Sequence, residues 1–123
     1  MGSINRPDRV GDLIMREIAQ MIVNGEIKDP RVSSVVITDV KVTKDMGMAR
    51  VFFTVMDGDK EGCGEALGGL RSAAKFITGQ LWKRFKMKRI PDIRFEIDKV
   101  LERGYRIDEL LRSVKSEESQ GDS

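Results

Sequence analysis

The chain has 123 residues, of which 40% are hydrophobic and 34% charged, and its formal net charge is +2. This length suits one domain with a single modest core, and the lack of a long apolar run excludes a membrane-spanning helix. One cysteine and no histidine are present, which excludes an internal disulfide, ordinary zinc sites and nucleophiles that need a histidine base. Because no hydrophobic signal segment opens the chain, we expect a cytoplasmic protein.

The first predicted helix runs from Arg6 to Gly25. Asp8 is a candidate N-cap, and Gly25 stands where a left-handed C-terminal cap is favoured. The apolar residues of this stretch recur at helical spacing; they are Val10, Leu13, Ile14, Ile18, Met21 and Ile22. Asp29-Pro30 then predicts a turn.

A β-hairpin is predicted next, with strands at Val35–Thr43 and Ala49–Met56, because both stretches are rich in β-branched residues. We expect Gly47 to supply the positive φ that a tight turn requires. Simple alternation places Val36, Thr38, Val40 and Val42 on one face of the first strand and Val35, Ile37, Asp39 and Lys41 on the other. On the second strand it places Ala49, Val51, Phe53 and Val55 on the buried face.

The stretch from Glu61 to about Arg89 is too long for one ordinary helix. We interpret it as two helices, or one sharply bent helix, with the break near Ala73-Ala74-Lys75. Cys63 is expected in a glycine-rich turn, as an incidental reduced thiol. A third strand at Ile93–Asp98 alternates cleanly, with Ile93, Phe95 and Ile97 inward.

Basic residues accumulate between Ala66 and Pro91 without a single acid. Seven of the chain's 22 basic residues lie there, namely Arg71, Lys75, Lys83, Arg84, Lys86, Lys88 and Arg89. A solvated basic face is the ordinary explanation of such a run. The complete lack of acids favours a nucleic-acid-binding surface instead.

The predicted domain covers residues 6–114, with a flexible N-terminus at 1–5 and a polar, disordered tail at 115–123. A short final helix is predicted from Ile107, Leu110, Leu111 and Val114. The element order is therefore α-β-β-α-α-β, an α+β layer with a mixed three-stranded sheet. A crossover through the helix pair makes the second and third strands parallel.

This order resembles that of type II KH-like domains, which bind single-stranded RNA, although the usual GxxG loop between the central helices is missing. Ser72-Ala73-Ala74-Lys75-Phe76-Ile77 stands in its place. That segment is similar to the ribosome-binding factor A family, in which a kinked helix pair around Ala-x-Gly replaces the loop; Lys75 stands where the family often has glycine. Further similar segments are Arg6–Val10, Asp29–Val32, Ala49–Phe52, Leu81–Pro91 and Gly104–Leu111.

The resemblance implies a ribosome-assembly factor rather than an enzyme. It implies a monomer that binds the free small (30S) subunit and assists late maturation of 16S ribosomal RNA, including its 5′-terminal helix region. Such a factor leaves before translation begins and matters most during growth in the cold. No metal, cofactor, membrane or small-molecule substrate is expected.

Lys75 is the leading candidate for RNA binding, because a broken helix exposes amides that favour anions. The cluster of Lys83, Arg84, Lys86, Lys88 and Arg89 follows, with Arg71, and the secondary candidates are Arg6, Arg9, Lys41, Lys44 and Arg50. Trp82 could stack on a base, but a tryptophan beside an apolar stripe is more often packed. Phe76 and Phe85 are assigned to the core.

Two other classes of function stay open on the sequence alone. One is a protein-interaction or dimerisation module of α+β type that binds no RNA. The other is a small-ligand regulatory domain, which is disfavoured because no convergent polar pocket can be recognised in the sequence. Catalysis is not expected, because no pair of carboxylates is brought together on a rigid scaffold.

Overall fold

The computed structural model describes residues 6–56, 60–85 and 89–99. Its helices and strands are α1 (Arg6–Val23), β1 (Val35–Val42), β2 (Met48–Val55), α2 (Lys60–Ser72), α3 (Ala74–Phe85) and β3 (Asp92–Ile97), with a short 3₁₀ turn at Pro30–Val32. The predicted element order is confirmed over these residues. The predicted flexible N-terminus, final helix and polar tail lie outside them.

The sheet is mixed, as predicted, with strand order β1-β2-β3. β1 pairs antiparallel with β2, and β3 pairs parallel with β2, so that Ala49 lies beside Ile93 and Val51 beside Phe95. The parallel pairing follows from the helical crossover between β2 and β3, because a chain that leaves one end of a strand must return to the other end. β2 is therefore the central strand.

The end of α1 is set by Gly25, which has a φ of +70°. The amide of Glu26 donates to the carbonyl of Met21 at 2.9 Å, and the amide of Gly25 donates to that of Ile22 at 3.1 Å. This is the hydrogen-bond pattern of a Schellman motif, which satisfies the last carbonyls of a helix. The helix itself ends at Val23, slightly earlier than predicted.

The hairpin turn differs from the prediction. Met46, not Gly47, has a positive φ, of 64°. The carboxylate of Asp45 accepts hydrogen bonds from the amide of Gly47 and from the hydroxyl of Thr43, at 2.9 and 2.8 Å. These two bonds hold the turn and offset the cost of a left-handed backbone at a non-glycine residue.

A β-bulge changes which residues of β1 face the core. The register shifts between Ile37 and Asp39, so one extra residue separates the two halves of the strand. Val35 and Ile37 are buried, and beyond the bulge Val40 and Val42 pack against the same core. The predicted simple alternation along β1 is therefore wrong, because a bulge reverses the facing of every residue after it.

The core lies between the helices and one face of the sheet. Its central side chains are fully excluded from solvent; they are Ile14, Ile18, Met21, Val51, Phe53, Leu70, Ile77 and Leu81. Cys63 also belongs to this core, at 2% exposure and within α2, so its predicted place in a turn is wrong. No described helix has the length and apolar character needed to cross a bilayer.

Candidate nucleic-acid interface

The helix pair breaks at Ala73, inside the segment that the sequence singled out. α2 ends at Ser72 and α3 begins at Ala74. The amide of Ala73 is shared between the carbonyls of Gly69 and Leu70, at 3.0 and 3.1 Å, and its carbonyl accepts from Ile77 at 2.9 Å. The break therefore gives α3 an N-terminus of its own, with the partial positive charge of a helix start.

Lys75 lies in the first turn of α3, is exposed, and forms no ion pair with another described residue. An ammonium group beside a helix N-terminus adds to the positive field there. An anion that approaches this end of α3 meets the ammonium group of Lys75 and the partial positive charge of the helix start. The structure thus puts the leading sequence candidate where a phosphate oxygen would be stabilised.

One side of α3 combines cations with exposed aromatic rings. We call this surface the α3 face, and it consists of Lys75, Phe76, Gly79, Trp82 and Lys83, which the helical repeat brings to one side. All five are exposed, and Phe76 and Trp82 keep 42% and 51% of their surfaces in contact with solvent. No acid belongs to this surface.

The exposure of the two rings overturns two expectations. Phe76 was assigned to the core and Trp82 was expected to pack, yet both point away from the sheet. The reason is helical phase: Ile77 and Leu81, each the immediate neighbour of one ring, occupy the core at 0% exposure. Residues one position apart on a helix are separated by about 100°, so both rings fall outside the buried stripe.

These rings are the functional candidates that the sequence reasoning undervalued. The informative signal was the phase relation between Lys75 and Trp82, which are seven positions, almost two full turns, apart. A ring in phase with a lysine lies on the solvent side of an amphipathic helix. Phe85, in contrast, is partly buried and packs against the core, as predicted.

Gly79 lies between the rings on this surface and has an open surrounding. A Cβ atom built on it would meet no other atom within 4 Å. A glycine at an exposed helical position lowers the stability of the helix. Because Gly79 has no side chain, the helix surface is flat between the neighbouring side chains that project on either side of it. A planar group can approach the helix backbone closely there.

Arg84 has a different environment from the lysines. Its guanidinium donates hydrogen bonds to Glu17 at 2.9 Å and to Glu26 at 2.5 Å. The hydrogen bond to Glu17, followed by that to Glu26, raises the pKa of Arg84. Its charge is therefore compensated by two carboxylates, and its role in the fold is to tie α3 to α1 and to the residue that follows the α1 cap.

Arg50 and Lys41 lie on the sheet face that alternates away from the described helices. They are register neighbours, and Arg94 follows on β3. Arg50 makes a two-pronged pair with Glu96, both contacts at 2.8 Å, and stacks over the ring of Phe52 at 5.1 Å. The bond to Glu96 raises the pKa of Arg50 and lowers that of the glutamate.

The remaining predicted cations are spread over the molecule. Arg71 is exposed in the last turn of α2, and Arg6 and Arg9 are exposed in the first turn of α1. Lys44 is in the hairpin turn and Arg89 precedes β3, both exposed. Lys86 and Lys88 lie outside the described residues. The ten predicted RNA contacts that lie within the described residues therefore do not form one continuous patch. Among these residues, the α3 face is where uncompensated cations meet aromatic rings.

No group of three or more cysteine, aspartate or glutamate side chains in the described part of the chain is arranged to hold a metal ion. Glu17 and Glu26, which lie near α3, are instead paired with Arg84. The chemistry available at the α3 face is thus that of lysine ammonium groups, aromatic rings and the backbone amides of a helix start.

Comparison with known proteins agrees with the fold. The sequence profile of the family described as Ribosome-binding factor A matches residues 6–111. A Ribosome-binding factor A from Syntrophus aciditrophicus is 41% identical over 123 residues, which covers 100% of this chain and 98% of the relative. The chain belongs to the ribosome-binding factor A family.

Solved structures of this family share the fold. The crystal structure of ribosome-binding factor A from Thermus thermophilus superposes with a TM-score of 0.63 at 24% identity, covering 76% of this chain and 97% of that one. A second match, at a TM-score of 0.53 and 21% identity, is a homology model of the Thermus thermophilus factor as fitted into a cryo-electron microscopy map of a 30S complex with that factor. It covers 71% of this chain and 93% of that one. The predicted KH-like α+β fold and family are both confirmed.

Proposed function

We propose that this member of the ribosome-binding factor A family binds the free small ribosomal subunit by placing the α3 face against single-stranded ribosomal RNA. The observation that carries the proposal is the combination on one helix of Lys75 and Lys83 with the exposed rings of Phe76 and Trp82. Support for the partner comes from the Thermus thermophilus factor, which is fitted into a map of a 30S complex.

The chemistry of the α3 face suits RNA whose bases are unpaired. Lysines that neutralise phosphates gain affinity by releasing condensed counterions, and exposed rings offer stacking platforms that any base can use. A paired A-form helix would engage the lysines and leave the rings without partners, because its bases are already stacked. Single-stranded segments, loops and junctions of ribosomal RNA are therefore the preferred target.

We propose the more specific role of this protein in ribosome assembly from its membership of the family. The protein acts in the cytoplasm as a monomer, assists late maturation of 16S ribosomal RNA including its 5′-terminal helix region, and leaves before translation begins. Its contribution is largest in the cold.

The proposal can be tested by sedimentation through sucrose gradients. The protein is mixed with purified small subunits or with complete ribosomes, and each mixture is run at several salt concentrations. We expect co-migration with the free small subunit and not with complete ribosomes. Neutralising both lysines of the α3 face, with Lys75→Gln and Lys83→Gln, should weaken binding and reduce the slope of log affinity against log salt by about 1.5, because each phosphate contact contributes roughly 0.7–0.9.

The matched control neutralises two cations on the sheet face turned away from the helices. Lys41→Gln with Arg94→Gln changes the net charge by the same amount and should leave the slope nearly unchanged. Equal effects of the two double variants would mean that net charge alone governs binding, and the assignment to the α3 face would be wrong.

The competing function is a protein-interaction module that binds no RNA. The exposed side chains of Val36 and Met56, at 41% and 71%, could serve it. Such a module would retain its partner after nuclease treatment and in high salt, whereas an RNA-dependent complex is lost under both conditions. We favour RNA because the α3 face combines exposed aromatic rings with lysines that form no ion pair with another described residue.

A further inference from the structure

An open pocket of about 280 Å³ lies beside the helix break. One wall is Ser72, Ala73 and Phe76, from the end of α2 and the start of α3. The other wall is the segment Glu26–Asp29, which follows the α1 cap. The pocket thus exists because the break turns α3 away at Ala73 while the Schellman motif turns the chain after Gly25 in front of it.

The pocket has an apolar interior and a polar rim. Ile27 is buried beneath it, Ala73 contributes a methyl group, and the half-exposed ring of Phe76 forms a flat side. Flat aromatic walls suit planar ligands, because stacking needs parallel faces. A volume of about 280 Å³ is just below the roughly 300 Å³ at which ordinary small-molecule pockets begin, so the occupant is small.

The charges at the rim are arranged unevenly. Glu26 and Asp29 are both held by arginines, Glu26 by Arg84 at 2.5 Å and Asp29 by Arg31 at 2.7 Å. The hydrogen bond from Arg31 lowers the pKa of Asp29 to about 2. Lys28, in contrast, is exposed and has no ion pair with another described residue.

A carboxylate on one side of the rim and an ammonium group on the other suit the base and the phosphate of a nucleotide, respectively. Both oxygens of Asp29 already accept hydrogen bonds from Arg31, whereas Oε2 of Glu26 has only a 3.5 Å contact with Asn24 and is the available acceptor. A carboxylate oxygen accepts hydrogen bonds and pairs with the exocyclic amino group of cytosine. A free ammonium group attracts the phosphate. We propose that the pocket formed by Glu26–Asp29, Ser72, Ala73 and Phe76 binds one unpaired nucleobase that carries an exocyclic amino group, stacked on Phe76, with its phosphate towards Lys28.

The proposal deepens the proposed function and rests on it: the α3 face holds a single strand, and one base of that strand turns into the pocket. Phe76 belongs to both surfaces, since its ring borders the pocket and lies in the α3 face. A base stacked there would leave its flanking phosphates near Lys28 on one side and Lys75 on the other. The strand would therefore cross the helix break.

Amide chemical shifts measured by NMR on the full chain test the pocket directly. The probes are cytidine 5′-monophosphate, uridine 5′-monophosphate and ribose 5-phosphate. We expect saturable shifts at the amides of Ile27, Lys28, Ala73 and Phe76 with the cytidine nucleotide. Binding of the uridine nucleotide should be weaker by about tenfold or more, because it lacks one hydrogen bond to a charged group. Ribose 5-phosphate should give no saturable shift at these amides.

Two variants isolate the ring. Phe76→Leu should weaken binding of the cytidine nucleotide on the order of tenfold, because it removes the stacking surface, while Phe76→Tyr should retain it. The amide spectrum itself reports that each variant folds. Phe52→Leu is the matched control, since Phe52 is an aromatic residue on the sheet face away from the helices, and it should bind as the original protein does.

Several results would overturn the proposal. Equal responses to cytidine and uridine nucleotides would remove the role of the carboxylates, and an equal response to ribose 5-phosphate would leave only phosphate attraction. If no nucleotide shifts the pocket amides, the pocket does not bind a base, and any loss of subunit affinity in Phe76→Leu comes from stacking on the α3 face alone.

Sedimentation of the same protein preparation with small subunits distinguishes failure of the pocket proposal from failure of the proposed function. Retained binding to small subunits without any response to the cytidine nucleotide would refute the pocket and leave the proposed function standing. A chain that binds no subunits would refute the proposed function, and the nucleotide titration would still decide whether the pocket accepts a base.

Discussion

Arg84 on α3 and Glu17 on α1 are 67 positions apart in the chain and are joined by a hydrogen-bonded ion pair of 2.9 Å. The same guanidinium also reaches Glu26, just beyond the end of α1. Each of these side chains keeps between 26% and 29% of its surface exposed, so the network is partly shielded from water. A residue that looks like one more cation of a basic helix is thus a link between two helices.

The first prediction concerns this link. Arg84→Gln should lower the free energy of unfolding by about 1–2 kcal/mol, since it leaves two carboxylates without their partner and exposed networks contribute up to about 1 kcal/mol per pair. Urea unfolding followed by circular dichroism measures the change. Arg94→Gln is the control, because its pair with Asp92 is about 60% exposed on both sides, and its effect should be clearly smaller. Equal effects would contradict the structural role of Arg84.

The second prediction compares two glycines of α2. A Cβ atom at Gly69 would lie 3.0 Å from Cγ1 of Val32 and 3.1 Å from Cβ of Arg31, whereas one at Gly64 would meet nothing within 4 Å. Gly69→Ala should therefore destabilise the fold by about 1–3 kcal/mol through overpacking. Gly64→Ala should stabilise it by about 0.5–1 kcal/mol, the gain in helix propensity. Thermal unfolding of both variants checks the opposite signs.

The third prediction uses a pair of open helical glycines to probe the α3 face. Gly79→Glu places a carboxylate between the rings of Phe76 and Trp82, and we expect a loss of affinity for small subunits on the order of tenfold, from like-charge repulsion with phosphates and from the occupied patch. Gly64→Glu adds the same charge on α2, where a Cβ atom also has free space. It should change affinity little. Similar losses in the two variants would indicate a general charge effect.

The fourth prediction concerns the protonation of Asp29. The side-chain and backbone hydrogen bonds from Arg31 lower the pKa of this carboxyl from its ordinary 3.8 to about 2. Because the folded pKa lies below the unfolded one, the stability from this pair is fully present above about pH 4 and is lost as the pH falls towards 2. Carboxyl-detected NMR titration should find a midpoint near 2.

Arg31→Gln is the variant that tests the cause. It should return the Asp29 midpoint part of the way towards its ordinary value, because the side-chain hydrogen bonds from Arg31 are lost while the bond from the backbone amide of residue 31 remains. The pKa of Asp45 is also lowered, chiefly by the amide of Gly47 and the hydroxyl of Thr43, and it should not respond. An unchanged midpoint at Asp29 would show that the pair with Arg31 does not form in solution.

Local sequence was sufficient for most of the fold. Helical spacing in α1, alternation in β2 and β3, and the acid-free run after Ala66 each depend on residues close together in the chain. These patterns were enough to predict the element order and the parallel crossover, whereas the family was predicted from the resemblance of segments such as Ser72–Ile77 and Arg6–Val10. The cap at Gly25 followed in the same way, because a left-handed residue at a helix end is a local requirement.

Tertiary structure decided the details that involve distant residues. Simple alternation could not anticipate the bulge between Ile37 and Asp39, which re-aims β1 towards α1. Sequence distance also hid the partners of Arg84, and the exposure of Phe76 and Trp82 became clear only once the helix had packed through Ile77 and Leu81. The charge and hydrophobicity of a residue can be read from the sequence. Whether a charge is paired with an opposite charge, and whether a side chain is buried, depends on neighbours that only the folded chain brings together.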